Sequence, residues 1–269
     1  MAAEENPATI TGRTRVLGIF ADPVGHVKAP PLINEIARRR GQDAVMVPFH
    51  IAPEDLSAIF DTLRKVKSFD GGIVTVPHKN AALDLCDRIS DRARLVGAVN
   101  VIRRMPDGRI HGDALDGIGF LAGLKAAGHE VRGRRVYLAG AGGAAKAIAE
   151  AFAAEGVAQL TIYNRTMERA AELCDRLAAV YPSVDFRVGT ENPENHDIAV
   201  NGTSLGLRDG DALPFDVAGL SPGMVVAEVV MEPEITPLLA VARGIGCAIH
   251  PGKPMLEYQT ELMSDFFGL

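Results

Sequence analysis

At 269 residues, with 47% hydrophobic and 23% charged side chains, the chain is long enough for two modest domains and has the balance of an ordinary soluble globular protein. A formal net charge of −6, with no dense Lys/Arg run, argues against nucleic acid as a main partner. Cys86, Cys174 and Cys247 are odd in number, far apart and outside any Cys-x-x-Cys or Cys/His cluster, which points to reduced thiols in a cytoplasmic protein and to no structural metal. Residues 1–9 lack the basic and apolar regions of a signal peptide, and no apolar run has the length to span a bilayer, so no membrane partner is expected.

The predicted elements alternate. Residues 15–20 read as a strand, followed by a turn over 21–25. Pro30 and Pro31 sit where a helix starts, Leu32, Ile33, Ile36 and Ala37 give it an apolar stripe, and Arg38-Arg39-Arg40-Gly41 ends it. A strand over 44–51, a helix from Pro53 to about Lys65, and a short buried strand over 72–77 come next. The chain then turns helical at His78-Lys79-Asn80. A short helix over 91–96, a strand over 98–102 holding Asn100, and a turn over 105–108 lead to the segment 111–117 and a helix over 118–127. Strands alternating with helices at this spacing indicate a largely parallel sheet, an α/β fold.

After a link over 128–134, the apolar run Val136-Tyr137-Leu138-Ala139 ends in Gly140-Ala141-Gly142-Gly143-Ala144-Ala145 and opens into helix formers over 146–154. Gly140-x-Gly142-x-x-Ala145 is the dinucleotide fingerprint: one glycine for the sharp turn, one for close approach of a pyrophosphate, and a small residue for helix–strand packing. The helix N-terminus behind it offers N–H groups and a dipole to the anion. The next strand, over 159–164, ends where an NAD site would carry Asp or Glu. Here it ends in Asn164-Arg165-Thr166, with Arg169 one helical turn on, and two guanidinium groups beside a hydroxyl suit a 2′-phosphate. NADP is the cofactor expected. Strands over 184–188, 197–201, 224–230 and 247–250, and helices over 237–243 and 255–267, complete the chain.

A nicotinamide needs a substrate held against it and a group to exchange the hydroxyl proton. Lys79, Asn100 and Asp116 lie near strand ends or at a turn before a helix, where ligands of open α/β sheets gather. Each also has an ordinary explanation: a solvated lysine, a satisfied core amide, a helix cap.

Together these residues carry a resemblance. Val74-Thr75-Val76-Pro77-His78-Lys79, Gly97-Ala98-Val99-Asn100, Gly112-Asp113-Ala114-Leu115-Asp116-Gly117, the glycine turn, Asn164-Arg165-Thr166 and Asn201-Gly202-Thr203-Ser204 occur in that order. The chain resembles the shikimate/quinate dehydrogenase family from about Arg15 to about Phe267. The resemblance implies an open twisted α/β substrate-binding and catalytic domain over 1–115, with the C-terminal helix, 253–269, packing back on it. It implies an NADP-binding Rossmann domain over 116–252. It makes Lys79 and Asp116 the catalytic pair, gives Thr75, Asn100 and Gln259 the ring hydroxyls, and places Thr203 and Gly252 at the cofactor. The expected small-molecule partner is a cyclic hydroxy acid, and the expected state a monomer or homodimer.

The chain departs from the family at the substrate carboxylate. The family's His-Ser-x-Ser-Pro stretch is His26-Val27-Lys28-Ala29-Pro30 here, so Val27 and Ala29 replace two hydroxyl donors. Ala114-Leu115 replaces the Asn-Thr before the catalytic aspartate, and Met231 stands near a usual tyrosine. Three readings follow. The chain turns over shikimate or quinate with the carboxylate held by another group, such as Lys28 or Lys253. It oxidises a related cyclic hydroxy acid or alcohol with a less polar substituent. Or it is a non-catalytic NADPH or shikimate sensor, which would have no need of a proton-transfer pair.

Overall fold

A computed structural model describes residues 10–269, so the expectation that residues 1–9 carry no targeting segment lies outside the described residues. The chain divides into two compact units, Met1–Leu115 with Thr260–Leu269, and Asp116–Gln259. Among the described residues no helix is long and apolar enough to cross a membrane.

In the first unit, β1 (Arg15–Ala21) buries its last five residues, with Leu17, Phe20 and Ala21 fully enclosed. α1 (Ala29–Arg39) carries prolines in its first turn, where the missing N–H groups have no helical partner, and buries Ile33, Ile36 and Ala37. β2 (Ala44–His50), α2 (Leu56–Leu63), β3 (Phe69–Val74), α3 (Lys79–Leu85), β4 (Arg88–Ile89), α4 (Asp91–Val96), β5 (Val101–Arg104) and β6 (Ile110–Asp113) follow. The sheet order is β2-β1-β3-β5-β6-β4. β1 pairs in parallel with β2 on one side and β3 on the other. The connections from β1 and β3 therefore diverge, leaving a crevice at their carboxyl ends.

The sheet is largely parallel, with β5 and β6 added as an antiparallel hairpin and β5 running antiparallel to β3. The hairpin loop is held by Asp107, which accepts the Arg109 N–H at 3.0 Å, and by Gly108 at φ +89°. Two narrower expectations change here. β3 begins at Phe69 and stops at Val74, anchored by the buried Phe69 ring and by the pairing of Asp70 with Arg15 on β1. Asn100 lies just outside the strand expected to contain it. Its backbone still bridges two strands, since its C=O accepts from Val74 N (2.8 Å) and its N–H donates to the Asp113 C=O (2.9 Å).

The last helix, α9 (Lys253–Phe267), ends in the first unit. Helix C-termini leave carbonyls unpaired, and arginines supply the donors here. Arg15 reaches Phe267 O and Gly268 O, Arg40 reaches Leu269 O, and Arg103 reaches Phe266 O, at 2.8–3.1 Å. Arg40 also pairs with Glu261 and Asp265 of that helix.

The second unit runs α5 (Asp116–Ala126), β7 (Arg135–Ala139), α6 (Gly143–Glu155), β8 (Gln159–Tyr163), α7 (Met167–Ala178), β9 (Asp185–Val188), β10 (Ile198–Asn201), β11 (Val225–Glu228), α8 (Pro237–Ile245), β12 (Ala248–His250) and the first half of α9. Its strands are ordered β12-β11-β10-β7-β8-β9 and every pairing is parallel. This is the doubly wound order of a Rossmann domain, with its reversal between β7 and β10. Tyr137, Phe215, Leu238 and Leu239 pack one core beside the sheet, and the enclosed Tyr137 hydroxyl donates to Thr190 O at 2.8 Å.

His250 closes β12 in an apolar surrounding, 2% exposed, edge-on to Phe120 and His129, and its Nε2 has no hydrogen-bond partner among the described residues. Burial, and next the nearby His129, lower its pKa from 6.5 to about 4. The folded form thus stays neutral while the unfolded chain takes up the proton first. Stability should fall as pH drops from 6.5 to about 4, by about 3 kcal/mol in all. Chemical denaturation across that range should show a shallower slope for His250→Gln, and an unchanged slope would remove the histidine from the account.

Candidate functional site

β7 ends at Ala139, and the chain turns at Gly140 with φ +114°, a conformation side chains rarely adopt. The turn is tied to the neighbouring strand, because Gly140 N–H donates to Tyr163 O at 2.7 Å. Ala141 is buried beneath it, while Gly142 is the N-cap of α6 and Gly143 its first residue. No heavy atom lies within 4 Å of where a side chain would stand on either glycine. The start of α6 is thus open on the side of these two glycines, with Ala144 half-buried beside them and Ala145 packed against Gly202. Such a helix start accommodates a pyrophosphate by its dipole and its unpaired donors.

At the end of β8, Asn164 Nδ2 donates to Thr166 O at 2.8 Å and Arg169 N–H to the same oxygen at 3.2 Å, which folds the chain into α7. Thr166 is the N-cap residue, and Arg165, Thr166 and Arg169 are all exposed. Sequence reasoning missed Lys146, in the first turn of α6. Its pKa is lowered, first by burial and then by the charges of Arg176 and Arg169, with Glu172 opposing. Lys146 therefore belongs to a basic cluster that a phosphate dianion would relieve. The signal was its place shortly after the glycine turn, on the helix that the fingerprint opens.

At the end of β10, Thr203 is half-buried with its hydroxyl engaged inside the protein: it donates to Asn201 Oδ1 at 2.7 Å and accepts from Leu205 N at 3.1 Å. Its methyl group lies against Gly140, where a side chain would come within 3.2 Å. Gly252 is buried just after β12, and a side chain there would fall 2.4 Å from Val230 O.

In the first unit, Thr75 follows β3, its N–H donating to Phe20 O at 3.0 Å and its C=O accepting from His78 N at 2.8 Å. This small turn starts α3, so Lys79, half-buried, is the first helical residue, and Lys79 O accepts from Val99 N at 2.9 Å. Asn100 is 2% exposed and its Oδ1 accepts Leu115 N–H at 2.8 Å, which fixes the residue just before Asp116. Asp113 beside it is structural. Burial alone would raise its pKa, but hydrogen bonds from Arg92 and Ser90, the Arg92 charge and the Ala114 N–H hold it below the usual carboxylate range. Val27 is half-buried and Ala29 buried, flanking the exposed Lys28 at the N-cap position of α1. In the second unit, Asp116 is the first residue of α5 and buried, and the Gln259 amide of α9 donates to its Oδ1. The structure thus brings Asp116 together with Gln259, and sets Thr75, Lys79 and Asn100 close to strand ends of the first unit.

Comparison with known proteins gives a consistent result. Residues 19–102 match the family description "Shikimate dehydrogenase substrate binding domain", and residues 123–205 match "Shikimate / quinate 5-dehydrogenase". The chain is 40% identical to the shikimate dehydrogenase (NADP(+)) of Acidiphilium cryptum, over 93% of this chain and 89% of that one. It is similar in structure to shikimate 5-dehydrogenase of Thermus thermophilus, solved with NADP(H) and shikimate, with a TM-score of 0.85 and 29% identity over 95% and 94% of the two chains. It is equally similar to the ligand-free 5-ketofructose reductase of Gluconobacter sp. strain CHM43, with a TM-score of 0.87 and 29% identity over 96% and 94%.

Proposed function

The chain belongs to the shikimate/quinate dehydrogenase family and is an NADP-dependent oxidoreductase of that type, and from this premise we propose that Lys79 and Asp116 are its proton-transfer pair, acting on a ring hydroxyl or ketone of shikimate, 3-dehydroshikimate or a close relative. The observation that carries the proposal is the setting of Asp116: a buried carboxylate whose Oδ1 is fixed by Gln259, reached by a chain segment that Asn100 pins through Leu115 N–H.

NADP, when bound, accepts hydride from the alcohol carbon or returns it to the ketone. Gly142 and Gly143 would face its pyrophosphate, and Lys146, Arg165, Thr166 and Arg169 its 2′-phosphate. On oxidation the C–H hydride leaves, the carbonyl forms, and the hydroxyl proton passes to the Lys79–Asp116 pair. On reduction the pair returns it. A positioned acid–base group has a proton to exchange at each turnover, and the Gln259 amide holds the Asp116 carboxylate in one orientation. Thr75, Asn100 and Gln259 orient the ring by hydrogen bonds to its hydroxyls.

A second reading is favoured by two observations. Val27 and Ala29 offer no side-chain donor to a carboxylate, and the chain is as similar in structure to a reductase named for a keto-sugar as to a shikimate dehydrogenase. On that reading the substrate is an uncharged cyclic or keto polyol. Following reduced nicotinamide by absorbance with shikimate, quinate and 5-ketofructose separates the two. A chain that binds NADPH but is inert toward all three would overturn both substrate assignments.

The phosphate assignment is tested separately. Arg165→Ala removes a charge-assisted hydrogen bond of about 1.5–3 kcal/mol, so KM for NADP should rise about 10- to 100-fold. KM for NAD should change less than about twofold, since NAD has no group for that guanidinium. Equal losses for both cofactors would remove Arg165 from the 2′-phosphate.

A further inference from the structure

We propose that Glu228 is a positioning residue of the NADP site, acting through Asn201 to hold Thr203 against the glycine turn; this rests on the assignment of that turn to the cofactor. Asn201 ends β10 and Glu228 ends β11, directly opposite in the parallel register, and both are 0% exposed. The Glu228 carboxylate accepts from Asn201 Nδ2 at 2.9 and 3.1 Å, from Val229 N at 2.9 Å, from Val230 N at 3.0 Å and from the Thr236 hydroxyl at 3.1 Å. Thr236 in turn caps α8 by accepting from Leu239 N.

The effect on Asn201 follows from what each atom can do. An ionised carboxylate accepts only, so the asparagine must turn its Nδ2 toward Glu228 and its Oδ1 away. Nδ2 also donates to Leu205 O at 2.9 Å, and Oδ1 accepts both the N–H and the hydroxyl of Thr203, at 2.9 and 2.7 Å. With the amide reversed, Nδ2 would face the Thr203 N–H, two donors would meet, and the Asn201–Leu205 segment would lose its ties to that side chain. Burial pushes the Glu228 carboxyl above the usual carboxylate range, and the hydrogen bonds from Val230 N, Asn201 Nδ2, the Thr236 hydroxyl and Val229 N oppose that shift by favouring the accepting form. The orientation of one amide therefore decides where Thr203 lies beside Gly140. Sequence reasoning did not single out Glu228, which ends the otherwise apolar strand Val225–Glu228.

The experiment uses the full chain and titrates NADPH by the fluorescence of the bound reduced nicotinamide. Glu228→Gln, which places an amide where only an acceptor fits, should weaken NADPH about tenfold. Glu228→Asp keeps an acceptor and should stay within about threefold of the parent. Asn201→Ala should also weaken NADPH, and adding Glu228→Gln to it should cost less than about a further twofold, because the route through the amide is already lost. Parent-like binding by Glu228→Gln, equal weakening by the Asp and Gln variants, or multiplicative losses in the double variant would each overturn the proposal. A parent chain that binds no NADPH would instead overturn the cofactor assignment on which it rests. If Glu228→Gln does not fold, the Asp variant and Asn201→Ala carry the test through thermal shifts with NADPH.

Discussion

Lys79→Ala and Asp116→Asn are each expected to lower turnover about 10²- to 10⁴-fold, the range a positioned acid–base group contributes. The two substitutions probe different things. Lys79 is half-buried at the start of α3, so truncation leaves the helix with its Thr75–His78 turn and its backbone bond to Val99 intact. Asp116→Asn preserves volume at a buried helix start but sets an amide against the Gln259 amide that now donates to Oδ1. The asparagine can answer by presenting its carbonyl oxygen to Gln259, so the fold should survive while the negative charge is lost. NADPH binding to the Lys79 variant provides the control, since binding and chemistry separate when a group acts only on the proton. The effects should also be non-additive: the double variant should lose little more than either single one, as expected of residues that work as a unit. Near-normal turnover by Lys79→Ala would refute the assignment.

How much of the molecule can be read from its sequence depends on how local the cause is. The glycine turn is legible because a tight turn, an anion approach and a helix start impose residue types on one short stretch, and Gly140, Gly142 and Ala145 meet all three. Arg165 and Arg169 are legible for the same reason, as charges standing where a carboxylate would repel a phosphate. β6 is hidden because Ile110–Asp113 is too short and too polar to read as a strand; its pairing with β5 comes from the hairpin turn, and its Asp113 meets Arg92 and Ser90 at the start of α4. Asn100 reads as part of a strand because its neighbours are apolar, yet its side chain serves the distant Leu115. Lys146 becomes a cluster member only when α6 and α7 lie side by side, and Glu228 meets Asn201 only through strand pairing. Contacts between elements far apart in sequence have no local signature. The family resemblance supplied roles that spacing alone left open, and it did so for residues whose motifs are contiguous.

The double substitution Val27→Ser/Ala29→Ser is expected to improve productive binding of shikimate about 10²- to 10⁴-fold, from two charge-assisted hydrogen bonds of about 1.5–3 kcal/mol each. The helix behind these positions makes the need for hydroxyls acute. α1 begins at Ala29, and Pro30 and Pro31 follow, so two of the N–H groups that a helix start would offer an anion are missing. Ala29 is buried, which means a serine there must find its partner inside the site or lie idle, whereas Val27 is half-buried and can turn. The charge of Lys28 lies between them, exposed. If that lysine already holds the substrate carboxylate, Lys28→Ala should abolish shikimate turnover in the parent chain, and the serines should then add little. If instead the natural substrate is uncharged, Lys28→Ala should leave the keto-sugar reaction intact, and the serines should shift preference toward shikimate and away from the keto-sugar, since buried hydroxyls left without a partner penalise a ligand that cannot meet them. A double variant that gains nothing on shikimate would show that the missing hydroxyls are not what separates this chain from its carboxylate-binding relatives.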